Sequence, residues 1–84
     1  MKLHEYKSKS MSLLLKYSPK NDRERELRDM LIVSINNLRK ATMPRLLMDI
    51  HLILNYEDNV SDEFKELVKS LIPDPNELVN IEGE

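Results

Sequence analysis

The chain has no cysteine, one glycine, four prolines and no long apolar run among its 84 residues. Each scarcity excludes something. Without thiols there is no disulfide scaffold and no thiolate metal site, and a reducing cytoplasm is the expected compartment. The opening segment MKLHEYKSKSMSLLLKY lacks the continuous apolar core of a secretory signal, and no stretch approaches the roughly 18 apolar residues that span a bilayer. The single glycine, Gly83, is next to last, so the positive-phi turns of hairpins have no residue to make them, and runs of beta-branched residues are missing as well. The length sets one domain at most, with little room for a deep, walled catalytic cleft. What is present is a globular balance of 40% hydrophobic and 33% charged residues, too apolar for a wholly disordered chain. The expected class is all-α.

Pro19, Pro44, Pro73 and Pro75 divide the chain, because proline lacks an amide donor and is tolerated only in a helix's first turn or outside it. The first piece, about Lys2 to Tyr17, sets Leu3, Tyr6, Leu13, Leu14 and Tyr17 near one face, with Ser8, Ser10 and Ser12 weakening its middle. Asn21 and Glu24 have the spacing of a capping box, with Ser18 as another possible cap. From Asp22 to about Lys40, Leu27, Met30, Leu31, Ile35 and Leu38 recur at three and four, the period of an amphipathic helix.

Thr42 can cap the next helix and Pro44 suits its first turn. That helix, MPRLLMDIHLILNY, is apolar at Met43, Leu46, Leu47, Ile50, Ile53 and Leu54, while Met48 and Leu52 add a second apolar side. Such a helix is expected to be central, with Leu47, Ile50, Ile53 and Leu54 buried and Asp49 and His51 at its rim. Ser61 then caps a fourth helix that packs through Phe64, Leu67, Val68, Leu71 and Ile72. The expected architecture is a small antiparallel bundle of four helices over residues 1–73. Residues 74–84 form an acidic, frayed tail from which Leu78, Val79 and Ile81 could dock back.

Charge is unevenly placed. Residues 1–45 carry eleven Lys or Arg against five Asp or Glu, whereas residues 56–84 carry nine acids against Lys65 and Lys69. Such halves give a small domain a dipole that steers charged partners and speeds encounter. Catalytic signatures are scarce. His4 and His51 stand in no metal-ligand spacing, and Asp49 and His51 point roughly 200 degrees apart on a helix, so they form no joint site. The segment EDNVSDEF lacks the glycine and the terminal carboxylate of a calcium loop. With no phosphate loop, nucleophile elbow or paired-carboxylate motif, the expectation is a non-enzymatic protein without metal or cofactor.

Two kinds of partner then compete. Arg23, Arg25, Arg28, Arg39, Lys40 and Arg45 could meet nucleic-acid phosphate. Yet the would-be recognition helix SDEFKELVKSL is rich in acids, and Arg23, Arg25 and Arg28 alternate with Asp22, Glu24, Glu26 and Asp29 as exposed intrahelical pairs do. A protein partner fits better, for instance a cationic nuclease toxin or phage target covered by Glu57, Asp58, Asp62, Glu63 and Glu66.

The segment PRLLMDIHLILNYEDNVSDEFKELVKSL, Pro44 to Leu71, resembles the last two helices of the class IIa (pediocin-like) bacteriocin immunity proteins. The shared features are a leucine-rich helix ending near a tyrosine, a short polar turn, a Ser cap followed by acids, and an aromatic-Leu-Leu helix. The resemblance covers about a third of the chain. It implies a cytoplasmic four-helix bundle that neutralises a toxin or a toxin-receptor complex. It also implies that Asp62, Glu66, Lys69, Asp74, Glu77, Leu78 and Ile81, on the fourth helix and tail, carry recognition.

Overall fold

Among the described residues, the caps Asn21 and Ser61 and the four prolines set several of the limits of five α-helices and one 3-10 turn. The computed structural model describes residues 1–82, the side chains of Val79 and Glu82 excepted. The elements are α1 Leu3–Lys16, α2 Asp22–Asn36, the 3-10 turn Lys40–Thr42, α3 Met43–Tyr56, α4 Asp62–Ser70 and α5 Pro75–Glu82, and no strand occurs among the described residues. The protein is a small all-α bundle.

It is built as two helical hairpins. α1 packs mainly on α2 and α3 mainly on α4, while the seam between α2 and α3 is sparser. The N-terminal end of α2 lies beside the C-terminal end of α3, so these two run antiparallel. Each helix contributes a stripe at helical spacing to one core: Tyr6 and Leu14; Leu27, Leu31 and Ile35; Met43, Leu46, Ile50 and Ile53; Phe64 and Val68. Leu38, Leu71 and Ile81 complete it. Two long-range bonds fix α1 against this core. The buried Tyr6 hydroxyl donates to the Leu71 carbonyl at 2.6 Å, and Lys7 Nζ donates to the Leu38 carbonyl at 3.4 Å.

Several expectations need correcting. α2 stops at Asn36, not near Lys40, although Leu38 just beyond it is still buried. Thr42 does not cap α3. Its hydroxyl accepts from the Arg39 N–H and donates to the Arg39 carbonyl, closing the 3-10 turn. Ser18 makes no cap either, whereas Asn21 accepts from the Glu24 N–H at 2.8 Å and Ser61 from the Phe64 N–H at 3.2 Å. The capping box is half made, since the Glu24 side chain turns elsewhere.

Ile72 lies past the end of α4 and is half exposed, and Leu47, Leu54 and Leu67 are only partly buried. α3 is not enclosed on all sides, for Met48, Leu52 and Tyr56 face solvent. Residues 75–82 are helical, with Pro75 at the helix start where its missing N–H costs nothing, and Ile81 is fully buried. The Val79 side chain lies outside the described residues.

Candidate protein-binding surface

The outer face of α4 follows from its inner one. Phe64 and Val68 point into the core, so Asp62, Glu63, Glu66 and Lys69 are left exposed. Asp62 and Glu63 sit in the first turn, where carboxylates favour the positive end of the helix dipole, and Lys69 sits in the last. Facing α4 across an open groove of about 560 Å³ are His51, Leu54 and Asn55 of α3, with Asp62, Lys65, Glu66 and Lys69 on the α4 side. Two carboxylates of this region are engaged at the surface, Glu63 with Lys20 at 3.0 Å and Glu66 with Lys69 at 3.5 Å. Exposed pairs of this kind exchange readily for a partner's charges, because each contributes at most about 1 kcal/mol.

The capped end of α4 is anchored by a buried carboxylate on another helix, in addition to the packing of Phe64 and Val68. Glu24 is fully buried on α2. Its Oε1 accepts from the Tyr17 hydroxyl at 2.6 Å and from the Lys20 N–H at 3.1 Å, and its Oε2 accepts from the Ser61 N–H at 2.7 Å. The Tyr17 hydroxyl also lies 3.2 Å from Ser61 Oγ, and the Tyr17 ring meets Phe64 edge-on with centroids 5.6 Å apart. One side chain thus joins the end of α1, the α1–α2 loop and the cap of α4. Burial works against its charge, but the bonds from Tyr17, Ser61 and Lys20 prevail and pull its pKa from 4.5 to about 2. The same contacts push Tyr17 up, burial first and the Glu24 bond second. Every buried side-chain polar atom among the described residues has a hydrogen-bond partner.

The sequence-expected site residues separate into groups. Asp62, Glu66 and Lys69 come together on the α3/α4 groove, and Glu63 is next to them, turned to Lys20. Asp58 is exposed in the α3–α4 loop, beside the Lys20–Glu24 segment. Glu57 belongs to a different face. Arg23 binds both its oxygens and holds it below the usual carboxylate range.

Just before α5, Asp74 accepts from the Asn76 N–H at 3.1 Å and is exposed, while Glu77 in the first turn of α5 is half-buried. Leu78 is half-buried and packs on the core. Ile81 is a correction: it is a core residue and presents nothing to a partner. His51, Asn55 and Lys65 were missed as groove residues. The spacing of His51 and Asn55, four apart on one helix flank, was the available signal, and the Asn55 side chain donates to the His51 carbonyl at 2.7 Å.

Of the basic set, Arg23, Arg25 and Arg28 are engaged with Glu26 and Glu57, with Asp22, and with Asp29 respectively. Arg39, Lys40 and Arg45 make no ion pair among the described residues. No group of three or more metal-ligating side chains occurs among the described residues, and no described helix is long and apolar enough to cross a membrane. Compared with family models, with curated proteins and with solved structures, the chain matches none.

Proposed function

We propose that this chain is a non-enzymatic protein-binding inhibitor that captures its target through the outer face of α4 and the α3/α4 groove. In its most specific form it is an immunity protein neutralising a toxin or toxin-receptor complex, as the resemblance over Pro44 to Leu71 implies. One observation carries the reading: Asp62, Glu63, Glu66 and Lys69 are presented at helical spacing by a helix that packs without them. The open groove beside them suits side chains of a partner rather than an enclosed substrate. The strongly shifted carboxylate, Glu24, is accounted for by the bonds that seat α4. The test is a protection or pull-down assay against the product of the adjacent gene, with circular dichroism as the folding control. Glu63→Lys with Glu66→Lys should leave the bundle folded and weaken capture, mainly through the association rate. Full protection by that variant would place the binding surface elsewhere.

A second reading, a small nucleic-acid-binding regulator, draws on Arg39, Lys40 and Arg45 at the α2–α3 corner, which make no ion pair among the described residues. Under it, DNA or RNA affinity falls steeply with salt, and Arg39→Ala with Lys40→Ala flattens that slope. Absence of binding at low salt removes it.

A further inference from the structure

Of the seven large apolar residues that stand exposed, Met30, Val33, Leu52 and Tyr56 line the α2/α3 side and Met48 stands one turn before Leu52 on the outer flank of α3, the five between 39% and 75% exposed. The first four line two shallow grooves that run end to end along the sparse α2/α3 seam and meet at Asp49. At ordinary side-chain sizes these exposures amount to roughly 500 Å² of apolar surface, against the 300–600 Å² of the largest patch on a typical monomer. A stable interface covers about 800 Å² per partner, a little over half of it apolar. The patch therefore has the extent of one side of an interface.

Its charges decide what covers it. At the end formed by the start of α2 and the end of α3, Glu26 and Glu57 share the single cation Arg23, and Asp58 follows. That end is net acidic. At the other end stand Arg39, Lys40 and Arg45, none in an ion pair among the described residues. A two-fold axis across the seam reverses the direction of one copy against the other, so each basic end meets an acidic end. The face is complementary to itself.

We propose that two copies of this chain pair through the α2/α3 face, with the two-fold axis near Leu52. With α3 antiparallel to its symmetry mate about that point, Tyr56 of each copy lies over Met48 and beside Asp49 of the other, and Arg45 comes opposite the segment holding Glu57 and Asp58. The two Asp49 carboxylates are kept roughly 9 Å apart along the axis, at 1.5 Å of rise per residue. Tyr56 can donate its hydroxyl to the facing Asp49. The α4 outer face is outside this interface, so a dimer presents two copies of the proposed capture surface. The pairing does not depend on that function.

The experiment is sedimentation equilibrium of the full chain from micromolar to about 1 mM. The expected result is a rise from the chain mass of 9.9 kDa to twice that value. Leu52→Glu sets two carboxylates against each other at the axis and should weaken association at least about tenfold with an unchanged circular dichroism spectrum. Arg45→Glu should weaken it about tenfold, and adding Asp58→Arg to the same chain should restore it, since both charges of each contact are then reversed. The wild-type chain has no cysteine, so Leu52→Cys should form a disulfide between copies on mild oxidation, faster than Leu15→Cys, exposed outside the face. A monomeric mass up to about 1 mM overturns the proposal, and so does a dimer indifferent to both Leu52→Glu and Arg45→Glu.

Discussion

The two ends of α2 invert the usual relation between polarity and burial. At the N-terminal end a glutamate is fully buried and every oxygen of its carboxylate is occupied, while toward the C-terminal end Val33 is 60% exposed beside Met30. The difference lies in what each end has to join. The first end gathers three chain segments whose loop and cap N–H groups need an acceptor, and one carboxylate supplies two of them and a tyrosine hydroxyl. Toward the second end the inner stripe of Leu31 and Ile35 is buried, but the outward flank of α2 faces only the sparse α2/α3 seam, which leaves Met30 and Val33 uncovered. Polarity is a guide to burial only where the hydrogen-bond demand of the neighbouring backbone is known.

The largest effect expected is on the core that both ends share. Ile50 of α3 is buried and Ile50→Ala should cost roughly 2–5 kcal/mol, through lost transfer free energy and the cavity left behind. Chemical denaturation at constant slope measures it. Ile81→Ala should fall in the same class, although it lies on the last described helix, because its side chain is as buried as those of α3. If Ile81→Ala costs nothing while Ile50→Ala costs several kcal/mol, α5 does not belong to the cooperative unit.

Next comes the polar end. Glu24→Ala leaves the N–H groups of Lys20 and Ser61 and the Tyr17 hydroxyl without their acceptor, and should cost about 2–4 kcal/mol. A loss as large as that from a core apolar residue is what makes this end part of the core. The sign of its pH dependence is fixed. Glu24 has a folded pKa lowered from 4.5 to about 2, so its contribution is fully present above about pH 4.5 and is lost as pH falls toward 2. Glu24→Gln removes the titration. Its stability profile between pH 4.5 and 2 should be flatter than that of the wild-type chain, and parallel profiles would show that other carboxylates govern acid unfolding.

These contrasts mark how far the sequence could be read. The helical period placed Leu27, Leu31, Ile35, Ile50, Ile53, Phe64 and Val68 in the core, because local spacing decides which face a helix buries. Asn21 and Ser61 were legible as caps because a cap is a bond within four residues. The Glu24–Ser61 contact joins residues 37 apart and left no local trace; at short range Glu24 fits a capping box as well. The exposure of Met48 and Leu52 was illegible for the same reason, since a stripe's partner is a tertiary fact. Of the candidate surface, the α4 set could be read by subtracting the packing stripe. Ile81 could not, because three residues of apolar spacing after PDP do not reveal whether the tail returns to the bundle.

The smallest effects expected are on the outward flank of α3, and they sharpen the comparison most. His51 is exposed and lines the open groove, so His51→Ala should change stability by less than about 0.5 kcal/mol. Leu52 is adjacent in sequence to His51, apolar, and 46% exposed. In the monomer, Leu52→Ser should cost only roughly 1 kcal/mol, since about half of the side chain is already exposed and its removal leaves no closed cavity. The two variants then part with concentration. If copies pair through this face, the folded state gains stability by mass action, and the melting temperature of the wild-type chain rises with protein concentration. Leu52→Ser should abolish that rise and His51→Ala should keep it, because His51 faces α4 and not the seam. Thermal melts of the three chains at micromolar and near-millimolar concentration measure this directly. Identical melting temperatures at both concentrations for all three would leave Leu52 as surface and nothing more.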